Sequence, residues 1–179
     1  MNVVRQVVLT LQGGGALGTY QAGVMQALTE GGLHPDWVAG VSIGAINSAI
    51  IAGNPPHRRV ERLREFWDLI TRPTALWPEV SNRQVQEVQR DASAGLALLF
   101  GQPGFFRPRL PIEWVVQPPP VSVYDTSELR STLERLVDFD LINRKHGVRL
   151  SVGAVEVETG NLVYFDSARG TIGPDNVMA

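Results

Sequence analysis

Residues 7–53 read VVLTLQGGGALGTYQAGVMQALTEGGLHPDWVAGVSIGAINSAIIAG, and the order of segments within them decides the fold. Val3 to Leu11 is mostly apolar and β-branched, the pattern of a buried parallel strand. A glycine turn follows: Gly13-Gly14-Gly15-Ala16-Leu17-Gly18. Thr19 to Glu30 then reads as a helix with Tyr20, Val24, Ala27 and Leu28 on one buried face, and Gly31-Gly32 stops it. His34-Pro35-Asp36 leads into a second apolar strand, Trp37 to Val41. That strand runs into a second glycine turn, Gly40-Val41-Ser42-Ile43-Gly44. Ala45 to Ala52 is small and apolar on nearly all sides, which predicts a buried helix, and Asn54-Pro55-Pro56 ends it. Strand, turn and helix, repeated, predict an open α/β sheet with parallel strands. Ligands in such sheets sit beyond the carboxyl ends of the strands. Both glycine turns lie at that edge and can face one another.

The rest of the chain is consistent with one domain built on this start. Its 179 residues suffice for a sizeable core, and 44% hydrophobic content is ordinary for a globular protein. A net charge of −2, without basic clusters, points away from nucleic acid. Cysteine is absent, which removes disulfides, thiol nucleophiles and zinc-thiolate sites and fits a reducing compartment. The N-terminus shows neither a signal-peptide pattern nor a membrane-spanning run, so a cytoplasmic location is expected. His57 to Thr71 reads as an amphipathic helix with Val60, Leu63, Trp67 and Ile70 buried and Arg58, Arg59, Glu61, Arg62, Arg64 and Glu65 solvated. Ser81 to Phe100 reads as a further helix. Residues 101–123 hold six prolines, Phe105, Phe106 and Trp114, and are expected to form a flap or insertion. Its aromatics suit either an apolar lip touching lipid or pins holding the loop to the core. Asp125 or Thr126 can cap a helix that runs to about Val137. Val148 to Val157 and Leu162 to Asp166 flank Glu158-Thr159-Gly160-Asn161, a hairpin signature. Residues 167–179 read as turns without a closing element.

A hydroxyl is a poor nucleophile unless it is placed and deprotonated. Gly40-x-Ser42-x-Gly44 addresses placement, because a residue at a sharp strand-to-helix corner projects its side chain at the helix N-terminus. There the helix dipole and the N–H of Ile43 favour developing negative charge. The run Gly13, Gly14, Gly15, Ala16 and Gly18 offers backbone N–H groups suited to an oxyanion. Together the turns suggest acyl transfer, with Ser42 attacking an ester. The bland alternative makes Gly40 and Gly44 packing glycines and Ser42 a helix cap.

Gly13 to Gly18 also satisfies the dinucleotide fingerprint G-x-G-x-x-G. That use requires an acid at the end of the second strand to bind a ribose. Here Ser42 stands at that place, and the nearby acid, Asp36, precedes the strand.

At this point the chain resembles the patatin-like phospholipases. The likeness rests on L-Q-G-G-G-A-L-G at 11–18, G-V-S-I-G at 40–44, the spacing between them, and F-D-S-A-R-G at 165–170. The resemblance implies a three-layer α/β/α sandwich with a mostly parallel central sheet. It also implies hydrolysis of lipid acyl esters by a Ser–Asp dyad, with no metal and no cofactor. The serine maps onto Ser42 and the oxyanion loop onto Gly13 to Gly18. Leu17 departs from the Arg or Lys often found there, which weakens any inference about anionic headgroups. A lipid or ester substrate and transient membrane contact are the implied partners. The sequence carries no signal of oligomeric state.

A larger departure concerns the base. The family's aspartate sits in an Asp-Gly-Gly or Asp-Gly-Ala motif, and no Asp-Gly dipeptide occurs here; Asp166 precedes Ser167 and Asp175 precedes Asn176. The expectation is that the chain is incomplete at its C-terminus, with the base beyond residue 179. Asp166 or Asp175 as substitute base, and a hydrolase-type triad through His146, are the alternatives. His34 and His57 have bland turn and helix-start readings. Glu79, Glu87, Asp91, Glu113, Asp138 and Asp140 read as solvated or capping groups, and no His/Asp/Glu grouping has metal-ligand spacing. A non-catalytic lipid- or protein-binding module and a nucleotide-binding domain are the competing functional classes.

Overall fold

A computed structural model describes residues 6–71, 104–109 and 124–179. The chain forms two compact units: Met1–Trp67 with Leu133–Ala179, and Asp68–Thr132. In the first, β1 (Val8–Leu11), β2 (Trp37–Val41), β5 (Arg149–Val155) and β6 (Leu162–Asp166) make one sheet in the order β1-β2-β5-β6. β1, β2 and β5 are parallel, with Leu11 opposite Gly40 and Val41 opposite Gly153. β6 returns antiparallel as the second arm of the expected hairpin, with Asp166 opposite Ser151. The sheet is therefore mixed and mostly parallel, with helices packed against it.

α1 (Thr19–Glu30) connects β1 to β2, and α2 (Ile43–Ala52) starts immediately after β2. Every residue of α2 is buried. The strands cover one side of it through Val38, Leu150 and Val152, and α1, α5 (Phe139–Ile142) and α6 (Pro174–Met178) pack around it. Full burial of Ile50 and Ile51 contributes roughly 2–3 kcal/mol each. The C-terminal end of α2 is closed by Asn54, whose Nδ2 donates to Ile50 O and Leu136 O. α5, too short to read from the sequence, is capped by Asp138, whose carboxylate accepts from the Leu141 N–H at 2.9 Å.

Several expectations need correction. Among the described residues of the first strand, 8–11 are paired, and among the described strands β1 is the last in the sheet on its side, with Leu11 buried but Val8 exposed. α1 is rotated from its expected face: Gln21 and Met25 are buried and Tyr20 is 78% exposed. In α3 (Arg59–Ile70) the buried residues are Arg59, Leu63, Phe66 and Trp67 rather than a stripe through Val60 and Ile70. Arg59 is not solvated; its Nε donates to Asn54 O at 3.1 Å, and burial lowers its pKa. Residues 174–178 do form a closing helix, α6, with Val177 buried.

In the second unit, β3 (Arg107–Pro108) pairs antiparallel with β4 (Tyr124–Asp125), joined by an Arg107–Asp125 ion pair at 2.7 Å. Phe105 meets Phe106 edge-on, and Phe106 meets Tyr124 likewise, so these rings pack within their own unit. α4 (Ser127–Leu136) begins where expected, with Asp125 Oδ1 accepting from the Ser127 N–H. The expected helix over 81–100, most of the 101–123 segment and Trp114 lie outside the described residues.

Candidate active site

The chain leaves β2 and enters α2 through Ser42, which has φ 55° and ψ −127°. Ser42 is the one non-glycine residue at positive φ among the described residues. Such a conformation costs an L-residue of order 1–3 kcal/mol and persists only where surrounding structure imposes it. Its neighbours impose it. A Cβ on Gly40 would lie 2.2 Å from Gly44 O, and one on Gly44 would lie 2.1 Å from Leu11 O. The corner is thus too tight for any side chain at either position. The Ser42 carbonyl accepts from the Ala45 N–H at 2.8 Å and starts α2, while its side chain makes no capping bond. The bland reading of Ser42 as a side-chain cap does not describe this geometry.

The first glycine turn lies against the second. A Cβ on Gly13 would stand 3.3 Å from Ser42 Cβ and 3.9 Å from Ser42 Oγ. Gly14 and Gly15 have φ 142° and 55°, which turn the backbone into a 3-10 helix over Gly15–Gly18. Within it, Leu17 N donates to Gly14 O at 3.2 Å and Thr19 Oγ1 donates to Ala16 O at 2.8 Å. Among the described residues the N–H groups of Gly13 and Gly14 have no protein acceptor. The arrangement sets backbone donors and a hydroxyl side by side at the carboxyl edge of β1 and β2. A cleft of about 500 Å³ lies beside the first glycine turn, lined by Gln12, Gly13, Tyr20, Gln21, Val41 and Tyr164 among others; neither Ser42 nor any described acidic residue is part of its lining.

Asp166 and His146, considered for the base, sit elsewhere. Asp166 pairs with Ser151, which is in register with Ala39, three residues before Ser42 and two strands away. Strand spacing and rise place the two about 14 Å apart. Its carboxylate is engaged at 2.7 Å by Arg149 Nη2 and at 2.8 Å by Ser151 Oγ. Arg149 also stacks over Trp37, and Trp37 Nε1 donates to Ser151 Oγ. The Arg149 hydrogen bonds hold the Asp166 pKa at about 2. His146 is exposed three residues before β5, whose first residue pairs with Trp37, so it lies toward the opposite edge of the sheet from Ser42. Asp36 is also at that amino edge, accepting from the Val7 N–H, and not where a ribose would need it. Asp175 lies in the first turn of α6.

The Asp166 pair carries a stability prediction. Its folded pKa lies below the ordinary carboxylate value, so its contribution is present above about pH 4 and is lost as pH falls through about 2. With screening on the partly exposed Arg149, that contribution is on the order of 1–2 kcal/mol. Asp166→Asn is expected to unfold at lower urea at pH 7 and to lose part of the acid sensitivity between pH 4 and 2. Parallel wild-type and variant curves across that range would refute the assignment.

Sequence reading missed three residues behind the loop. Asn47, in the second turn of α2, is fully buried; its Nδ2 donates to Gly18 O at 3.0 Å and to Gln21 Oε1 at 2.8 Å. Trp67 Nε1 donates to Asn47 Oδ1 at 3.2 Å, and Gln21 Nε2 donates to Gln12 O at 2.8 Å. The available signal was one amide in an otherwise small and apolar helix, since a buried amide needs partners.

The fold and site together describe an α/β protein with a strained serine corner facing a glycine loop. Residues 9–173 match the model of the patatin-like phospholipase family, and the chain belongs to that family. Its mostly parallel sheet with flanking helices is of the three-layer α/β/α type. It is 52% identical over 48 residues to lysophospholipase nte1 of Aspergillus terreus, covering 27% of this chain and 3% of that protein. It is 36% identical over 61 residues to patatin-like phospholipase domain-containing protein 7 of Rattus norvegicus, covering 34% of this chain and 4% of that protein. The matched stretches are thus a small part of the length of these relatives. No solved structure matches the chain. No described helix is long and apolar enough to cross a membrane.

Proposed function

We propose that this chain carries the nucleophile and oxyanion donors of a serine-dependent lipid acyl hydrolase. Ser42 Oγ attacks the carbonyl carbon of a carboxylic ester. The oxygen that becomes negative is held by N–H groups of the Gly13–Ala16 turn and of Ile43. The alcohol leaves with a proton, and water then hydrolyses the acyl-enzyme. The single observation carrying the reading is the positive φ of Ser42 with Gly13 packed against it. Family membership supplies the lipid substrate class, and the cleft lined by Leu17, Tyr20 and Val41 suits an acyl chain. Leu17 is 75% exposed beside the site, which supports transient contact with a membrane. The base is taken to be an aspartate of the family's Asp-Gly motif, a dipeptide that does not occur in residues 1–179.

A fluorophosphonate probe and a short-chain aryl ester test this. The 179-residue chain is expected to hydrolyse the ester poorly, and supplying a segment with the Asp-Gly motif is expected to raise the rate by about 10³-fold or more. No gain on adding that segment would remove the dyad. Failure of Ser42 to label in the completed protein would leave a non-catalytic binding module.

A further inference from the structure

Building on Ser42 as nucleophile, we propose that Asn47 is a positioning residue that clasps both ends of the glycine loop to the helix carrying Ser42. The hydrogen bonds have one consistent direction. An indole N–H only donates and a backbone carbonyl only accepts. With Trp67 Nε1 donating to its Oδ1, Asn47 must present Nδ2 to Gly18 O and Gln21 Oε1. Gln21 must then turn Nε2 to Gln12 O. Flipping the Asn47 amide would set donor against donor at Trp67 and acceptor against acceptor at the other two partners. The amide therefore has one orientation, fixed from three sides, at a site with no exposure to solvent.

The carbonyls it reaches flank the loop. Gln12 precedes Gly13, and Gly18 ends the 3-10 turn. Between them lie Gly13, Gly14 and Gly15, which have the least intrinsic reason to hold one shape. Gly18 also packs closely enough on Ile43 that a Cβ would lie 2.7 Å from Ile43 Cγ1. Loop and serine thus move with α2 as one body. Oxyanion donors act only when placed to about 3 Å, and a displacement near 1 Å costs on the order of 10²-fold in rate. Asn47 does not itself line the cleft and makes none of Ser42's own bonds, though its partner Gln21 does line it, so the effect of Asn47 should fall mainly on the chemical step.

Two variants test the clasp. Asn47→Asp keeps the shape but turns both donors into acceptors facing acceptors. Gln21→Met keeps most of the volume and removes both the donor to Gln12 O and the acceptor for Asn47 Nδ2, leaving the Asn47–Gly18 and Trp67–Asn47 links in place. Each is measured, in the protein completed with the Asp-Gly segment, by the rate of fluorophosphonate labelling of Ser42 and by hydrogen exchange of residues 12–18 against residues 37–41 and 149–155. The expected result is a fall in the limiting labelling rate of about 100-fold for Asn47→Asp, with the half-saturating probe concentration unchanged, and of about 10-fold for Gln21→Met. Exchange within 12–18 should rise at least about 10-fold at Leu17, whose N–H is bonded to Gly14 O, while the strands stay protected. Unchanged exchange over 12–18 in a variant whose strands stay protected overturns the clasp, as does a labelling rate within twofold of wild type. If Asn47→Asp does not fold, Gln21→Met decides alone. Should wild type not label at Ser42, the hydrolase reading fails, and the exchange measurement still judges the clasp.

Discussion

Replacing Ser42 by glycine is expected to make the protein more stable and unreactive at once. Ser42 is held at φ 55°, a conformation that costs a residue with a Cβ about 1–3 kcal/mol and costs glycine almost nothing. Glycine loses about 0.5–1 kcal/mol through its greater freedom in the unfolded chain. The balance favours the Ser42→Gly variant by about 1 kcal/mol, or a rise of roughly 2–4 °C in Tm for a chain of this size. Ser42→Ala keeps the Cβ and hence the strain, so its stability should stay near wild type. Both variants lose the hydroxyl, and both should lose fluorophosphonate labelling by about 10³-fold or more. Calorimetry on the two variants separates strain from chemistry. A glycine variant no more stable than the alanine variant would mean that the corner stores no strain. Labelling that persists in both would remove Ser42 as the nucleophile.

The second large effect is on folding. Alanine at Gly44 would set its Cβ 2.1 Å from the carbonyl oxygen of Leu11, and alanine at Gly40 would set one 2.2 Å from the carbonyl oxygen of Gly44. Neither contact can be relieved by rotating a side chain, because the opposing atoms are backbone. The strands and α2 must separate, and α2 is buried on every side. Gly44→Ala is expected to cost about 3–5 kcal/mol, a large part of the 5–15 kcal/mol typical of a whole domain. Gly23→Ala is a control. Gly23 lies within α1, and a Cβ there meets nothing within 4 Å. That exchange should stabilise by about 0.5–1 kcal/mol through helix propensity. Urea midpoints give both values. A Gly44→Ala protein within 1 kcal/mol of wild type would show that the corner can open without cost, and the requirement for glycine would fall.

The same residues show what could be read in advance. The segments Thr19–Glu30, Trp37–Val41 and Leu162–Asp166 were legible to their ends because each is bounded by glycine, proline or a turn. The facing of the two glycine turns followed from parallel pairing alone, since consecutive parallel strands end at the same edge. The buried face of α1 was not legible. Tyr20, Val24 and Leu28 form a respectable apolar stripe, yet the helix turns Gln21 and Met25 inward. Nothing local reveals that Gln21 has a partner in Asn47 to satisfy it.

By itself the sequence determined the order of strands and helices up to α3 and the later hairpin, the two glycine turns and the residues at the serine corner. These depend on steric rules that act within a few residues, and glycine and proline state them openly. The tertiary structure alone decided that Ser42 is forced to positive φ, that Asp166 is spent on Arg149 at the wrong edge of the sheet, and that Asn47 ties loop to helix. Each of these depends on strand register or helix rotation, which is set by packing between residues far apart in the chain. The glycine turns announced where chemistry could occur, and long-range contacts decided which side chains could take part.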